Sequence, residues 1–191
     1  MKRKPVKYHM FIIEGAAVLA LLMLTSALLP GRNADAGAKR AACVNNLKTL
    51  SYCLLLYCAD NDNNYPAGHA RSELLPMLKI YEKNDRIFVC PESADGKPDY
   101  AYLLAGIDLK ISRLTHPEVL PVIICRKHGK NAVIAFADGH VETCTVPQEN
   151  YSYENIVLQV TGNHRHEKIS GLDTVLENAR DLDQKTRKTA P

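Results

Sequence analysis

Three alternating side chains in the first half of this sequence are of types that bind calcium ions. Asp60, Asp62 and Asn64 alternate as oxygen ligands do in the first half of a calcium-binding loop. A complete loop of that kind needs glycine where Tyr65 stands and a carboxylate where Arg71 stands. A plain polar turn is therefore the favoured interpretation, and calcium at Asp60, Asp62 and Asn64 is the alternative.

Histidines and acidic residues lie near a strand-like segment in the second half. His128 precedes residues 131–137, and Asp138 follows them. A seven-residue strand is ~23 Å long, so we expect His128 and Asp138 to lie at opposite ends and not to share a metal. His140 and Glu142 point the same way on the next strand, but two ligands do not make a zinc site. With no nucleophile elbow or phosphate loop in the sequence, we predict that the protein is not an enzyme.

An apolar stretch occupies residues 10–29, with Glu14 as its only ionisable side chain. A helix of this length is ~30 Å long, about the thickness of the hydrocarbon core of a bilayer. The leader, residues 1–9, is basic, which predicts a cytoplasmic N-terminus. The sequence therefore predicts a single-pass protein of the inner (cytoplasmic) membrane whose C-terminal domain is periplasmic.

Glu14 is unusual within such a stretch. An acidic side chain at the centre of a membrane span costs ~2.5–3.5 kcal/mol on insertion scales. It either lies close enough to the interface to reach water, or it has a partner that offsets its burial.

Length and composition limit the part of the chain that lies beyond the apolar stretch. The chain has 191 residues, which leaves room for one compact domain, placed at residues 30–150, and a C-terminal helical extension at 151–191. Residues 1–29 hold four of the 24 Lys and Arg and one of the 21 Asp and Glu, so the remainder is neutral although the whole chain carries +3. No basic face is indicated, and we expect no nucleic acid partner.

Six cysteines in an exported domain favour disulfides. Three of them lie on a helix predicted over residues 38–60, at Cys43, Cys53 and Cys58. They are ~15 Å and ~7.5 Å apart along that helix, which is beyond disulfide reach. Each therefore pairs with one of the three later cysteines or is a buried thiol. The later cysteines are Cys90, Cys125 and Cys144.

Helical spacing is clear after residue 38. Apolar residues recur at steps of four, three, four and three, which predicts one buried stripe on a helix that ends near Asp60. The stripe consists of Cys43, Leu47, Leu50, Leu54 and Tyr57. Two further helices are predicted near the C-terminus, one between Ser152 and Gly162 and one that begins after Ser170.

A β-hairpin is predicted around Asp138-Gly139, because both central residues of a type I′ turn need positive φ. A two-residue turn there pairs residue 136 with 141 and residue 134 with 143. Ile134, Phe136 and Val141 then share one face. We expect that face to pack against the long helix.

Several segments together resemble a family of prepilin-like proteins related to the type II secretion pseudopilin G. The most specific is an H-x9-DG motif, with nine residues between His128 and Asp138-Gly139. Residues 41–48 resemble the family's stretch on the long helix, residues 57–66 the end of that helix, and residues 88–91 its Cys-Pro segment. The resemblance implies an α+β, pilin-like fold: a long N-terminal helix, half membrane span and half packed on a small antiparallel sheet.

The resemblance also implies roles for particular residues. Glu14 would meet the α-amino group of a neighbouring subunit and set the register of assembly, with Met10 as the processed and methylated N-terminus. His9, however, stands where prepilin peptidase expects a small residue, so an uncleaved membrane protein is the alternative. Because Cys43 and Cys90 both fall in matched segments, the resemblance favours a disulfide between them.

The function implied is that of a pseudopilin-like structural subunit in a type II secretion or type IV pilus-like assembly. Its partners would be other pseudopilin subunits, the inner membrane and prepilin peptidase. The alternative is a monomeric, membrane-anchored module that binds a ligand or metal near His128 and Asp138.

Overall fold

Residues 32–67, 74, 77–93, 100–105, 108–162 and 168–189 are described by a computed structural model. The leader at residues 1–9 and the stretch at 10–29, with His9, Met10 and Glu14, lie outside these residues.

The first described helix, α1 (Arg32–Asp60), is amphipathic. Four residues of its predicted stripe are buried and the fifth is half-buried, which confirms the stripe. The helix ends as predicted at Asp60, and Asp62 and Asn63 then adopt left-handed backbone conformations, with φ of 52° and 63°. The Asn63 N–H donates to the Cys58 carbonyl (2.8 Å), so the end of the helix is capped by its own turn.

The predicted membrane-spanning architecture needs correction. Among the helices that the structure describes, none combines the length and apolarity needed to cross a bilayer. The described residues therefore do not support the predicted pilin-like fold, in which one helix is half membrane span, or the single-pass inner-membrane localisation derived from it. The described helix α1 cannot itself be the span, because it carries polar and charged residues opposite its apolar stripe.

A four-stranded antiparallel sheet follows, in the order β1-β2-β3-β4. The strands are β1 (Tyr100–Tyr102), β2 (Pro121–His128), β3 (Asn131–Phe136) and β4 (Val141–Thr145). Side chains of both central strands are buried on consecutive positions. The centre of the sheet is therefore covered on both faces.

Two helices complete the fold, α2 (Tyr153–Thr161) and α3 (Leu172–Thr189). As predicted, the Ser152 side chain caps α2 by accepting a hydrogen bond from the Asn155 N–H, and Gly162 ends the helix. Both helices belong to the same compact unit as the sheet, which comprises residues 38–191.

The two faces of the sheet meet different helices. Cys125 of β2 lies against Cys43 of α1, whereas the next residue, Arg126, contacts Tyr153 of α2 and Asp183 of α3. Because neighbouring residues of a strand point to opposite faces, α1 covers one face and the C-terminal helices cover the other.

The predicted hairpin register is wrong by one residue. Ala135 pairs with Val141, and Ile134 pairs with Glu142. The connection is longer than a two-residue turn, because the Phe136 N–H donates to the His140 carbonyl (3.0 Å). A one-residue shift moves every β4 side chain to the opposite face.

The face of β3 that meets α1 also differs from the prediction. Val133 pairs with Cys125, and directly paired residues point to the same face. The residues facing α1 are therefore Val133 and Ala135, not Ile134 and Phe136.

Gly139 is required by a close approach between the hairpin turn and α1. Its φ is +96°, and a Cβ at this position would lie 2.7 Å from Leu55 Cδ1. We expect Gly139→Ala to lower the free energy of unfolding by about 1–3 kcal/mol, from backbone strain and the clash with Leu55. Urea denaturation followed by circular dichroism measures this loss.

Leu55→Ala provides the control for that prediction, because it removes the clash and leaves the backbone strain. In the Leu55→Ala background, Gly139→Ala should cost less than in the natural chain. An equal cost in both backgrounds would contradict a steric role for Leu55.

Candidate metal centre

Four metal-ligating side chains converge between α1 and the sheet. Cys43 comes from α1, Cys90 from the segment after a 3-10 helix (Asp85–Phe88), and Cys125 and His128 from β2. All four residues are buried, and their ligand atoms lie within 4.8 Å of one another. Within the group, Cys90 Sγ lies 3.4 Å from His128 Nε2.

Cys43 is placed by the apolar stripe of α1, and Asn46 lies one turn further along. The Asn46 side-chain amide donates to the Val89 carbonyl (3.3 Å) and to the Tyr100 hydroxyl (3.4 Å). The Tyr100 hydroxyl in turn donates to the same Val89 carbonyl (3.3 Å). These bonds join α1, β1 and the residue before Cys90, so the helix and the Cys90 segment are held together beside the thiols.

Cys90 is placed by a short structured loop. Ile87 and Phe88 are buried and anchor the loop in the core. After Cys90-Pro91 the chain turns, with the Ser93 N–H donating to the Cys90 carbonyl (2.9 Å). The Glu92 N–H approaches Cys90 Sγ at 3.5 Å. A backbone donor aimed at the sulfur favours the charged thiolate.

Cys125 and His128 reach the same site because β2 is irregular. Residues three apart in a regular strand point to opposite faces. Between Cys125 and His128, however, the pairing of β2 with β3 shifts register. Such a bulge re-aims side chains, and here it lets both residues face the cluster.

Hydrogen bonds among the three thiols shift their pKa values in opposite directions. Hydrogen bonds from Cys125 and from Cys43 hold the pKa of the Cys90 thiol well below its usual range, against the effect of burial. Hydrogen bonds with Cys43 and Cys90, together with burial, raise the pKa of Cys125. Contact with Cys125 lowers the pKa of Cys43, but its bond to Cys90 and burial outweigh this and raise that pKa to about 12. The charged form is thus favoured most at Cys90.

The donor set matches a tetrahedral metal site. Zinc binds thiolate sulfur at ~2.3 Å, so two sulfurs on one tetrahedral zinc are ~3.8 Å apart. The ligand atoms here, all within 4.8 Å of one another, need only small movements to reach that geometry. His128 Nδ1, the ring nitrogen turned away from Cys90, is buried and without a hydrogen-bond partner among the described residues.

The predicted calcium ligands have other roles. Asp60 Oδ2 accepts a hydrogen bond from the Tyr81 hydroxyl (2.8 Å), and the Asn64 amide donates to the Asn61 carbonyl (3.0 Å). Within the described ranges, Cys43, Cys90, Cys125 and His128 form the only group of three or more His, Cys, Asp or Glu side chains that could hold one metal ion. These contacts are those of a polar turn, whereas Asn64 Oδ1 is buried without a hydrogen-bond partner among the described residues, so calcium at Asp60, Asp62 and Asn64 stays a prediction.

The two ends of the H-x9-DG motif serve different parts of the fold. His128 lies in the cysteine cluster, whereas Asp138 lies in the hairpin turn, where it accepts a hydrogen bond from the His140 N–H (3.1 Å) and contacts His140 Nδ1 (2.6 Å). Gly139 provides the positive φ beside Leu55. Among the described residues, the metal-ligand cluster contains His128 and does not include Asp138.

All six cysteines are free thiols in the structure. Cys53 and Cys58 are buried, and burial raises the pKa of Cys58 to about 11. Cys43 and Cys90 lie in one cluster but form no disulfide, so a bridge between them stays a prediction. Cys144 is half-buried on β4.

The sequence gives separate predictions for three of the four residues of the cluster, and no prediction brings all four together. Cys43 and Cys90 are predicted as a disulfide pair and His128 as part of a motif, while Cys125 has no specific predicted role. The missed signal is the spacing of Cys125 and His128, with two residues between them, which is typical of two ligands on one zinc.

No protein family model, curated protein or solved structure matches this chain. Its resemblance to prepilin-like proteins therefore stays a prediction.

Proposed function

We propose that this domain is a zinc-binding structural module. A Cys3His site would join α1, the Cys90 segment and β2. The observation that carries the proposal is the convergence of four buried ligand atoms, within 4.8 Å, from three distant parts of the chain.

The kind of donor favours zinc over a hard cation. Thiolate and imidazole groups bind zinc, whereas calcium and magnesium select oxygen ligands. Four protein ligands also close the tetrahedron, as in structural zinc sites, whereas catalytic sites keep one position for water or substrate. The donor set thus supports a structural role and, with the sequence, a non-enzymatic protein.

The charge of the site gives a second argument. Three neighbouring thiols cannot all ionise in a buried site without a cation, as the raised pKa values of Cys43 and Cys125 indicate. A divalent cation would displace the remaining protons and leave a net charge of −1 on the zinc and its three thiolates. Zinc binding would thereby satisfy groups that otherwise compete for one charge.

The pseudopilin-like assembly function stays a prediction. The residues that would carry it, Glu14 for subunit packing and Met10 for processing, lie outside the described residues. No contact among the described residues bears on partner subunits or on prepilin peptidase.

The proposal is tested by measuring zinc in the purified full chain, kept under reducing conditions, by inductively coupled plasma mass spectrometry. We expect one zinc per chain, and less than a tenth of that in Cys90→Ser, Cys125→Ser and His128→Ala. Cys58→Ser is the matched control, because Cys58 is equally buried but lies outside the cluster.

Two results would overturn the proposal. One is a wild-type chain that takes up no zinc after addition of excess metal. The other is a Cys43–Cys90 disulfide, found by non-reducing peptide mapping of protein isolated without reductant, in a chain that zinc does not occupy.

A further inference from the structure

The orientation of His128 leaves its second nitrogen in need of a partner. Its Nε2 atom faces Cys90 Sγ at 3.4 Å, so this is the nitrogen directed at the metal position. When one ring nitrogen binds a metal, the other carries the proton and needs an acceptor to fix the ring. In this structure Nδ1 is buried and has no hydrogen-bond partner among the described residues.

Glu92 provides the acceptor that faces this nitrogen. Its Oε1 atom lies 3.9 Å from His128 Nδ1, and the His128 side chain is 2% exposed and the Glu92 side chain 26% exposed. This distance exceeds the limit for a hydrogen bond by less than 1 Å. Glu92 has three side-chain torsions about which its carboxylate can move toward His128 Nδ1.

The backbone of Glu92 is already fixed at the site. Its N–H approaches Cys90 Sγ at 3.5 Å, and the turn at Cys90 is closed by Ser93. Glu92 thus approaches two neighbouring ligands, Cys90 through its backbone and His128 through its carboxylate. Because its backbone is held, only the side-chain torsions of Glu92 have to be ordered for its carboxylate to bind the histidine.

We propose that Glu92 is a positioning residue of the metal site. It accepts a hydrogen bond from His128 Nδ1–H when Nε2 binds zinc, and thereby fixes the tautomer and orientation of the ring. This inference rests on the proposed zinc function. It adds a fifth residue that tunes the affinity of the site without touching the metal.

Substitution of Glu92 distinguishes the role of its side chain from that of its backbone N–H. Glu92→Ala keeps the N–H beside Cys90 and removes only the carboxylate. We expect zinc affinity to fall about 10–100-fold, the usual effect of losing such a hydrogen-bond partner. Glu92→Gln keeps an acceptor oxygen and should lie closer to the wild-type chain than to Glu92→Ala.

The measurement is competition for zinc between the full chain and a chromophoric chelator of known affinity. Glu142→Ala is the matched control: Glu142 Oε1 lies 3.8 Å from His140 Nε2, a similar pair outside the cluster. Substitution with Co²⁺ gives a second readout, since its absorption spectrum reports four-coordinate thiolate ligation. We expect Glu92→Ala to keep that spectrum, whereas replacement of a direct metal ligand would change it.

The outcomes distinguish this inference from the proposed function. If the wild-type chain binds zinc and Glu92→Ala binds it within twofold, the role of Glu92 is overturned and the zinc site stands. Equal losses in Glu92→Gln and Glu92→Ala also overturn the hydrogen-bond role. A wild-type chain that binds no zinc overturns both.

Discussion

Removal of zinc by a chelator should lower the melting temperature of this chain by about 8–16 °C. This range assumes zinc at about a thousand times its dissociation constant, which stabilises a folded protein by ~4 kcal/mol. In a domain of this size, each kcal/mol corresponds to about 2–4 °C. The change is measured by differential scanning calorimetry, with the chain in reductant before and after dialysis against the chelator.

The physical reason is that zinc at this site would bind the folded chain more tightly than the unfolded one. The four ligands come from α1, the Cys90 segment and β2, which only the native fold brings together. Binding free energy at such a site is therefore folding free energy. Without the metal, the site also keeps three neighbouring thiols in a buried space, where the pKa of Cys90 is lowered and those of Cys43 and Cys125 are raised.

Two controls belong to this experiment. Addition of zinc after dialysis should restore the original melting temperature, which excludes irreversible damage. Cys125→Ser should melt at the lower temperature with or without chelator, because its site no longer binds zinc. Equal melting temperatures for metal-free and zinc-loaded wild-type protein would contradict a structural role.

Loss of the Asp183 carboxylate should lower the free energy of unfolding by about 3–5 kcal/mol, the usual cost of leaving the partner of a buried ion pair uncompensated. Asp183 Oδ1 lies 3.2 Å from Arg126 Nη1, and these side chains are 11% and 15% exposed. Asp183 also accepts hydrogen bonds from the N–H groups of Tyr153 (2.9 Å) and Glu154 (3.0 Å). The same carboxylate therefore joins α3 to β2 and to the first turn of α2.

The measurement is chemical denaturation of Asp183→Ala, with Asp181→Ala as the matched control. Asp181 lies on the same helix but is exposed, so its replacement should change stability by no more than ~0.5 kcal/mol. Adding Arg126→Met to Asp183→Ala should recover part of the loss, since no unpaired charge is then buried. Equal free energies of unfolding for Asp183→Ala and Asp181→Ala would argue against a stabilising role of the Asp183 carboxylate.

Elements with strong local signals were predictable from the sequence. The apolar stripe from Cys43 to Leu54 placed α1, because its spacing depends only on the helical period. Ser152 and Gly162 placed the ends of α2, because capping is a contact with the nearest backbone. No distant part of the chain is needed to interpret either signal.

The hairpin register was not predictable in the same way. Asp138-Gly139 marks a turn, but the length of the connection is set by long-range contacts. The Asp138 N–H donates to the Pro117 carbonyl (3.3 Å), and the Ala137 N–H donates to the Leu120 carbonyl (2.9 Å). These bonds hold the N–H groups of Ala137 and Asp138 against residues 117 and 120, which a two-residue turn would not allow.

The metal centre was hidden for a related reason. Its ligands come from three segments, so no contiguous motif contains them, and the Cys125–His128 spacing is meaningful only beside Cys43 and Cys90. The bulge in β2 that turns both residues to one face has no local signature. The membrane span was predicted for residues 10–29, which lie outside the described residues, and none of the described helices is long and apolar enough to cross a bilayer.

Strand β2 links the two layers of the molecule. Cys125 faces the metal cluster and its neighbour Arg126 faces the ion pair with Asp183, so one peptide unit separates the fixed points of α1 and α3. Because the two residues are adjacent, a shift of β2 that moves Cys125 also moves Arg126. The position of β2 is thus fixed on both faces of the sheet. We expect the contributions of the cysteine cluster and of the Arg126–Asp183 ion pair to the free energy of unfolding to be coupled and not additive.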